Sequence, residues 1–306
     1  MEKLKHNLLT VYKKYDYLNL KGERPLIKIL VSYIKPSFLF KSEILTPIHL
    51  GRAVERDTSK DGVISDEDVN WLHENCIGDD DFETNISHVN RRVGFFTGTY
   101  WAWKNYDRLN NPEYFGSFGY RKLFSPKCLE KIQDVDIIVP KKHQYIKPLK
   151  ERFLYNFGIN LLTKTIDSLG FVYPDEIIQF INFLNDNKYR DHELYIFKKT
   201  IFFQYCEWIF PLMNRMLNYP QEELKTIENL NERNPLFISL KDKRDVAFSM
   251  ELYTDYFIYK LLLDKSIRFY ESDLMIVNTN IEDLNKRKQI FITTIREKFS
   301  KKERKI

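Results

Sequence analysis

Apolar and polar positions alternate in three regimes along the chain. From residue 3 to 18 apolar residues recur among charges at helical spacing, which predicts a helix. After Pro25 the short, nearly continuous apolar run LIKILVSYI reads as a first strand that ends before Pro36. Residues 1–25 therefore read as a helical extension ahead of the first strand. The segment from Thr46 to Ser87 is polar, turn-rich and broken by short apolar patches, as expected of loops along one edge of a sheet.

From Ser87 to Asn105 the periodicity changes. Val89, Val93, Phe96, Tyr100 and Trp103 lie three or four apart behind a serine that can cap, so one amphipathic helix is expected. PEYFGSFGYRKLF then reads as a strand, and DVDIIVPKK as another that Pro140 stops. Strand alternating with helix is the pattern of an α/β sheet. Beyond about residue 145 long helical patterns take over, namely PDEIIQFINFLND, KKTIFFQYCEWIFPLMNRML and VAFSMELYTDYFIYKLLLD. A polar loop, ENLNERNPLFISLKDKRD, interrupts them. The expected organisation is an α/β part over 26–145, a mainly helical part over 146–262, and a C-terminal segment over 263–306. No internal repeat is visible.

Charge refines this picture at one place. The chain carries +5 overall, too mild for a dedicated nucleic-acid binder of 306 residues. Residues 286–305 hold nine Lys or Arg against two Glu, so the tail is strongly basic and the body slightly acidic. Phe291, Ile295 and Phe299 recur every four residues there, leaving two readings open: a terminal helix docked on the body, or an amphipathic contact with an anionic membrane surface. Cys76, Cys128 and Cys206 lack CxxC spacing, which argues against a disulfide scaffold and a structural zinc site and favours a reducing compartment. No signal-like or membrane-spanning apolar stretch occurs, so a cytoplasmic protein, peripheral at the inner face of the membrane, is expected. Walker, GxGxxG, HExxH and GxSxG motifs are absent.

Several blocks in order, NIS with Asn90 shortly after, TGTYWAWKN, YFGSFGYRKLF, DIIVPKK, FKKTIFFQYCEWIFPL and RDVAFSMEL, resemble a bacterial glycosyltransferase family of capsule, exopolysaccharide and lipopolysaccharide loci. That family, of the DUF4422 type, was formerly known as a domain of unknown function. The similarity spans about residues 26–262, with YWAWKN its most specific part. It implies a GT-A-like fold, a mostly parallel sheet with a nucleotide-diphosphosugar donor at the strand ends. General reasoning on open α/β sheets places ligands at the same edge.

Such an enzyme needs a pocket for the base, neutral surroundings for a departing diphosphate, a sugar site and a base for the acceptor hydroxyl. Ser32 and Tyr33, at the first strand end, are candidates to bond or stack on a uracil. Within GDDDFETNIS, Asp80, Asn85, Ile86 and Ser87 match the family loop, whereas Glu83 and Thr84 replace its glycine and aspartate. Asn85 and Ser87 either cap the following helix or present donors to a phosphate. On that helix Thr97, Trp101 and Lys104 share a side, offering a sugar contact or a core position for Trp101 and a phosphate contact or a surface position for Lys104. His49 in TPIHLGRA, with Arg52 nearby, is a further phosphate candidate.

Where GT-A enzymes carry an Asp-x-Asp, the resembled family carries His-Tyr-Arg-Arg, and this chain has Gly119, Tyr120, Arg121 and Lys122. Arg121 and Lys122 are thus expected to neutralise the diphosphate by fixed charge. A divalent ion (Mg or Mn) stays open as a cofactor, but no metal-ligand residues are assigned. Asp134 and Asp136 precede their strand and so belong at the wrong edge of the sheet. Arg244 and Glu251 match the family's pattern, with Leu252 where an arginine follows, and His192 and Glu193 replace its Asn-Met. Glu251 and Glu193 are the candidate bases. The function expected is transfer of a sugar from a nucleotide sugar, UDP-linked by preference, to a glycan or lipid-linked glycan. Another transferase of the same pathway and a non-catalytic assembly protein are the alternatives.

Overall fold

The computed structural model describes residues 2–57, 63–190, 194–220 and 244–277. The apolar runs assemble into a nine-stranded sheet whose main path is β3 (Ile77–Gly78), β2 (Leu45–His49), β1 (Ile27–Tyr33), β4 (Tyr114–Gly119), β9 (Tyr195–Lys198), β6 (Ile137–Pro140) and β10 (Phe269–Ser272). β5 (Lys122–Phe124) pairs with β4 and with β11 (Leu274–Ile276), and a separate ribbon joins β7 (His143–Gln144) to β8 (Lys188–Tyr189). The β3–β2, β2–β1, β1–β4 and β6–β10 pairs are parallel, while β9 runs antiparallel to both β4 and β6. The C-terminal ends of β1, β2, β3, β4, β6 and β10 consequently share one edge.

Alternation along each strand divides the core between two faces. Leu30, Phe115, Ile137, Tyr195 and Phe197 join one cluster, with side chains of α4 (Phe96–Lys104), α5 (Leu149–Val172), α6 (Ile177–Leu184), α7 (Lys199–Leu217) and α8 (Asp245–Leu261). Ile29, Val31, Tyr114, Ile138 and Ile196 join the other, covered by α1 (Glu2–Leu20) and α2 (Asp66–Asn75).

The helix expected over 87–105 is broken. Ser87–Val89 forms a 3-10 turn, α3 (Asn90–Val93) follows, and Gly94 at φ 60° and ψ −132° stops it before α4 begins. Such a backbone suits a residue without Cβ. The strand expected through residue 124 is instead a tight hairpin, with Gly119 opposite Lys122 and only Tyr120 and Arg121 between them. The region read as edge loops contains β2 and α2. Ser65 Oγ accepts from the Asp68 N–H at 3.1 Å, and Asp66, Glu67 and Asp68 fill the positive first turn of α2.

The leading helix packs into the core on one face of the sheet. Tyr12 is fully buried and donates its hydroxyl to the Phe124 carbonyl at 2.8 Å. The back half supplies the expected long helices, but also β9 and β10, so both halves of the chain build one sheet.

Candidate functional site

The strand-end edge is built around one buried carboxylate. Asp79, just past β3, accepts from the Gly51 N–H at 2.7 Å, the Arg52 N–H at 3.2 Å, Ser87 Oγ at 2.5 Å and Thr97 Oγ1 at 2.5 Å. Burial raises its pKa above the ordinary carboxylate value although all four donors oppose the shift. Asp79 thus ties the turn after β2, the loop after β3 and the start of α4 into one unit.

Asp80 and Asp81 both ion-pair with Arg52, which closes over Gly78. The three adjacent carboxylates therefore have protein partners rather than facing a common cation. Ser87 also accepts from the Ala53 N–H at 3.1 Å, and Asn85 accepts from the Ser87 N–H at 3.2 Å while donating to the Phe82 carbonyl at 2.9 Å. In this conformation the polar atoms of Asp80, Asn85 and Ser87 hold the loop itself.

Of the two readings left open for Trp101, the structure shows the core position, and Thr97 lies in the same buried layer. Thr97 is fully buried against Asp79, and Trp101 is buried with its indole N–H donating to the Asp81 carbonyl at 2.6 Å. Lys104 is exposed at the far end of α4, its ammonium 3.3 Å from the Trp103 ring centroid. Because α4 returns from the strand-end edge toward the start of β4, seven residues carry Lys104 about 10 Å down the helix from Thr97. It does not join Arg121.

Tyr33 and Tyr120 stack on each other with centroids 5.3 Å apart, both buried. The Tyr33 hydroxyl donates to the Phe38 carbonyl at 2.9 Å and accepts from the Phe40 N–H at 2.8 Å, and burial pushes its phenol far up. Tyr33 is therefore a core residue and not an open platform for a base, and Tyr120 is the ring it packs on. Ser32, opposite Gly119 in register, is half-buried.

Arg121 occupies the hairpin turn, exposed, with its guanidinium 5.4 Å from the Tyr120 ring centroid and no ion pair among the described residues. Its carbonyl accepts from the Val277 N–H at 2.9 Å, which fixes the turn's backbone. Lys122 is half-buried, at the start of β5 and paired in register with Ile276. A side chain added at Gly119 would meet nothing within 4 Å, so space stands open beside these cations.

A second feature of this edge lies at the end of β6. A pocket there is lined by Arg152, Tyr189, Arg190, Glu251 and Asp255 over an apolar floor that includes Phe153 and Leu252. Arg190 is held by the Pro140 carbonyl at 2.8 Å and by Glu271 at 2.6 Å, and Arg152 donates to the Tyr189 hydroxyl at 3.3 Å. Burial raises the Asp255 pKa, with Arg190 opposing. Glu251 opens into this pocket, half-buried on α8, and Arg244 stands two turns away just before that helix. β6 and β4 are two strand spacings apart, about 10 Å, with β9 between them.

Sequence reading missed Asp79, Arg152, Arg190 and Asp255. Asp79 was visible only as one of three like residues, and the other three belong to segments brought together by the fold. Asp134 and Asp136 do sit at the opposite edge, where Asp136 accepts from both the Arg268 guanidinium and its backbone N–H. Glu193 and the basic tail lie outside the described residues. His49 is buried near Glu55 and His73, away from solvent.

The mixed α/β architecture, with a mainly parallel sheet and helices on its faces, is similar to that of a solved glycosyltransferase. It superposes on the WbbM bifunctional glycosyltransferase in its apo structure with a TM-score of 0.61 and 22% identity. The match covers 83% of this chain and 46% of that one, so the chain spans less than half of that protein. Residues 28–240 match the family model described as "Domain of unknown function (DUF4422)", and the chain belongs to that family. No curated protein matches it.

Proposed function

We propose that the protein is a GT-A-type glycosyltransferase that moves a sugar from a nucleotide-diphosphate donor, UDP-linked by preference, to a surface-polysaccharide acceptor. The observation that carries this reading is Arg121: an exposed guanidinium, without an ion pair among the described residues, fixed at the C-terminal end of β4 beside the open space at Gly119. Diphosphate leaves as an anion, and a positioned guanidinium stabilises that developing charge, with the Lys122 ammonium adding to the field. The residues in this turn do not fit a divalent ion, since Gly119, Tyr120, Arg121 and Lys122 offer no carboxylate or imidazole ligand.

The pocket at the end of β6 is the acceptor side of this reading. In a single displacement Glu251 takes the proton of the acceptor hydroxyl, the hydroxyl oxygen bonds the donor's anomeric carbon, and the bond to diphosphate breaks with its electrons on the leaving oxygen. Arg152 and Tyr189 orient the acceptor. The basic tail, residues 286–305, holds the enzyme at an anionic membrane where a lipid-linked acceptor would stand.

Incubation with a panel of nucleotide sugars, read by release of nucleoside diphosphate, tests the proposal. Arg121→Ala is expected to lower turnover about 10²-fold, while the exposed Glu83→Ala leaves it near the parent level. No release from any donor, or equal small effects of both substitutions, would overturn the reading.

A further inference from the structure

His49, Glu55 and His73 converge beside the end of β2, one from the strand, one from the 3-10 turn that follows and one from the last turn of α2. One ligand atom from each lies within 4.8 Å of the others. His73 Nε2 is 2.9 Å from Glu55 Oε2, and His49 Nδ1 is 3.6 Å from the same oxygen. The Glu55 carboxylate is divided: Oε1 faces Arg56 at 4.0 Å, and Oε2 is left to the two imidazoles.

The decisive atom is His49 Nδ1. Only 2% of His49 is exposed, and Nδ1 is a buried polar atom with no hydrogen-bond partner among the described residues. A buried nitrogen left without a partner is costly, and native structures rarely tolerate one without a compensating group. The nearby Arg52 does not compete for Glu55, because Asp80 and Asp81 hold its guanidinium.

We infer that His49 Nδ1, Glu55 Oε2 and His73 Nε2 form a binding site for one transition-metal ion of the zinc class. Two imidazoles and a carboxylate suit Zn²⁺ and its neighbours, and do not suit Mg²⁺ or Ca²⁺, which take oxygen ligands. Bonds of about 2.0–2.1 Å to such an ion place tetrahedral ligand atoms about 3.3 Å apart, so the three groups need shift only by about an ångström. The half-exposed His73 faces solvent, which supplies water for the remaining coordination position. The ion would fasten the turn carrying Arg52 and Glu55 to α2 and the sheet edge. This site is separate from the Arg121 turn and stands whether or not the chain transfers sugars.

Calorimetric titration of ZnCl₂ into the chelator-stripped full-length protein tests it. One ion per chain is expected, with affinity at least tenfold lower in His73→Gln and in Glu55→Gln and unchanged in the exposed His88→Gln. CoCl₂ should give the visible absorption of an imidazole-bound ion in the parent protein and not in His73→Gln. His73 is half-exposed, so that substitution should not compromise folding, which circular dichroism would verify. Absence of saturable binding, equal affinity in the parent and His73→Gln, or MgCl₂ binding as tightly as ZnCl₂ would overturn the inference.

Discussion

Arg190 grips Asp255 from two directions: its backbone N–H donates to Oδ2 at 2.9 Å, while its Nη1 stands 3.6 Å from Oδ1. Only 1% of the arginine side chain is exposed. The pair joins the segment leading into β9 to the middle of α8, beneath the pocket that Glu251 enters. A buried pair is weak evidence for stability in itself, but removing one partner leaves the other charge uncompensated. Arg190→Met is therefore expected to destabilise the fold by about 3–5 kcal/mol, read as a lower urea midpoint. Asp255→Leu added to it should recover part of the loss, because the orphaned carboxylate goes too.

Tyr12 tests whether the leading helix belongs to the folded unit. It is fully buried, and its hydroxyl bonds the Phe124 carbonyl in β5. Tyr12→Ala should cost about 3–5 kcal/mol, as for other large aromatic truncations, whereas Tyr12→Phe removes the hydroxyl alone and should cost about 1–2 kcal/mol. Near-parent denaturation of Tyr12→Ala would show that α1 packs too loosely to matter.

Asp136 gives the protein an acid limit. Its hydrogen bonds with the Arg268 guanidinium, above all, hold its pKa down at about 2, against an ordinary 3.8. A depressed carboxylate binds fewer protons folded than unfolded, so its contribution is complete above about pH 4. It is lost as pH falls through about 2. Asp136→Asn should lower stability at neutral pH by about 1 kcal/mol, given the exposure of Arg268. It should also flatten the fall in stability between pH 4 and pH 2, measured by urea midpoints across that range.

The legible parts of this fold are those with strong periodicity. β1 is a compact apolar run, α7 and α8 carry long helical patterns, and the position of Asp136 before its strand placed it at the correct edge. α2 was missed because only Val69 and Leu72 of its ten residues are buried, and its signal is the Ser65 cap with the acids that follow. β9 has four residues and runs straight into α7, too short to show an alternation of its own. Within the site, the pair of cations Arg121 and Lys122 was visible because the two are adjacent in sequence, but the hairpin that carries them read as one continuous strand. The pocket was not visible, since Arg152, Arg190 and Asp255 meet only through packing. Trp101 and Tyr33 show the same limit: an aromatic at a strand or helix end reads identically whether it faces solvent or, as here, the core.

Gly119 and Gly51 make opposite predictions from one residue type. Gly119 lies in extended strand, outside the positive-φ glycines, and an added Cβ meets nothing within 4 Å. Nothing in its backbone or surroundings requires glycine, so Gly119→Ala should be neutral or stabilising by about 0.4–1 kcal/mol through reduced freedom of the unfolded chain. Gly119→His, which restores the residue of the resembled family, should fold as well as the parent. Gly51 sits at φ 71°, and its Cβ would lie 2.6 Å from Asn90 Oδ1, in the turn that Asp79 holds through the Gly51 N–H. Gly51→Ala combines left-handed backbone strain of about 1–2 kcal/mol with displacement of Asn90, which itself donates to Thr97 at 2.9 Å. Its urea midpoint should therefore fall well below that of Gly119→Ala. Equal midpoints for the two alanine variants would mean that the turn after β2 tolerates far more movement than its hydrogen bonds imply.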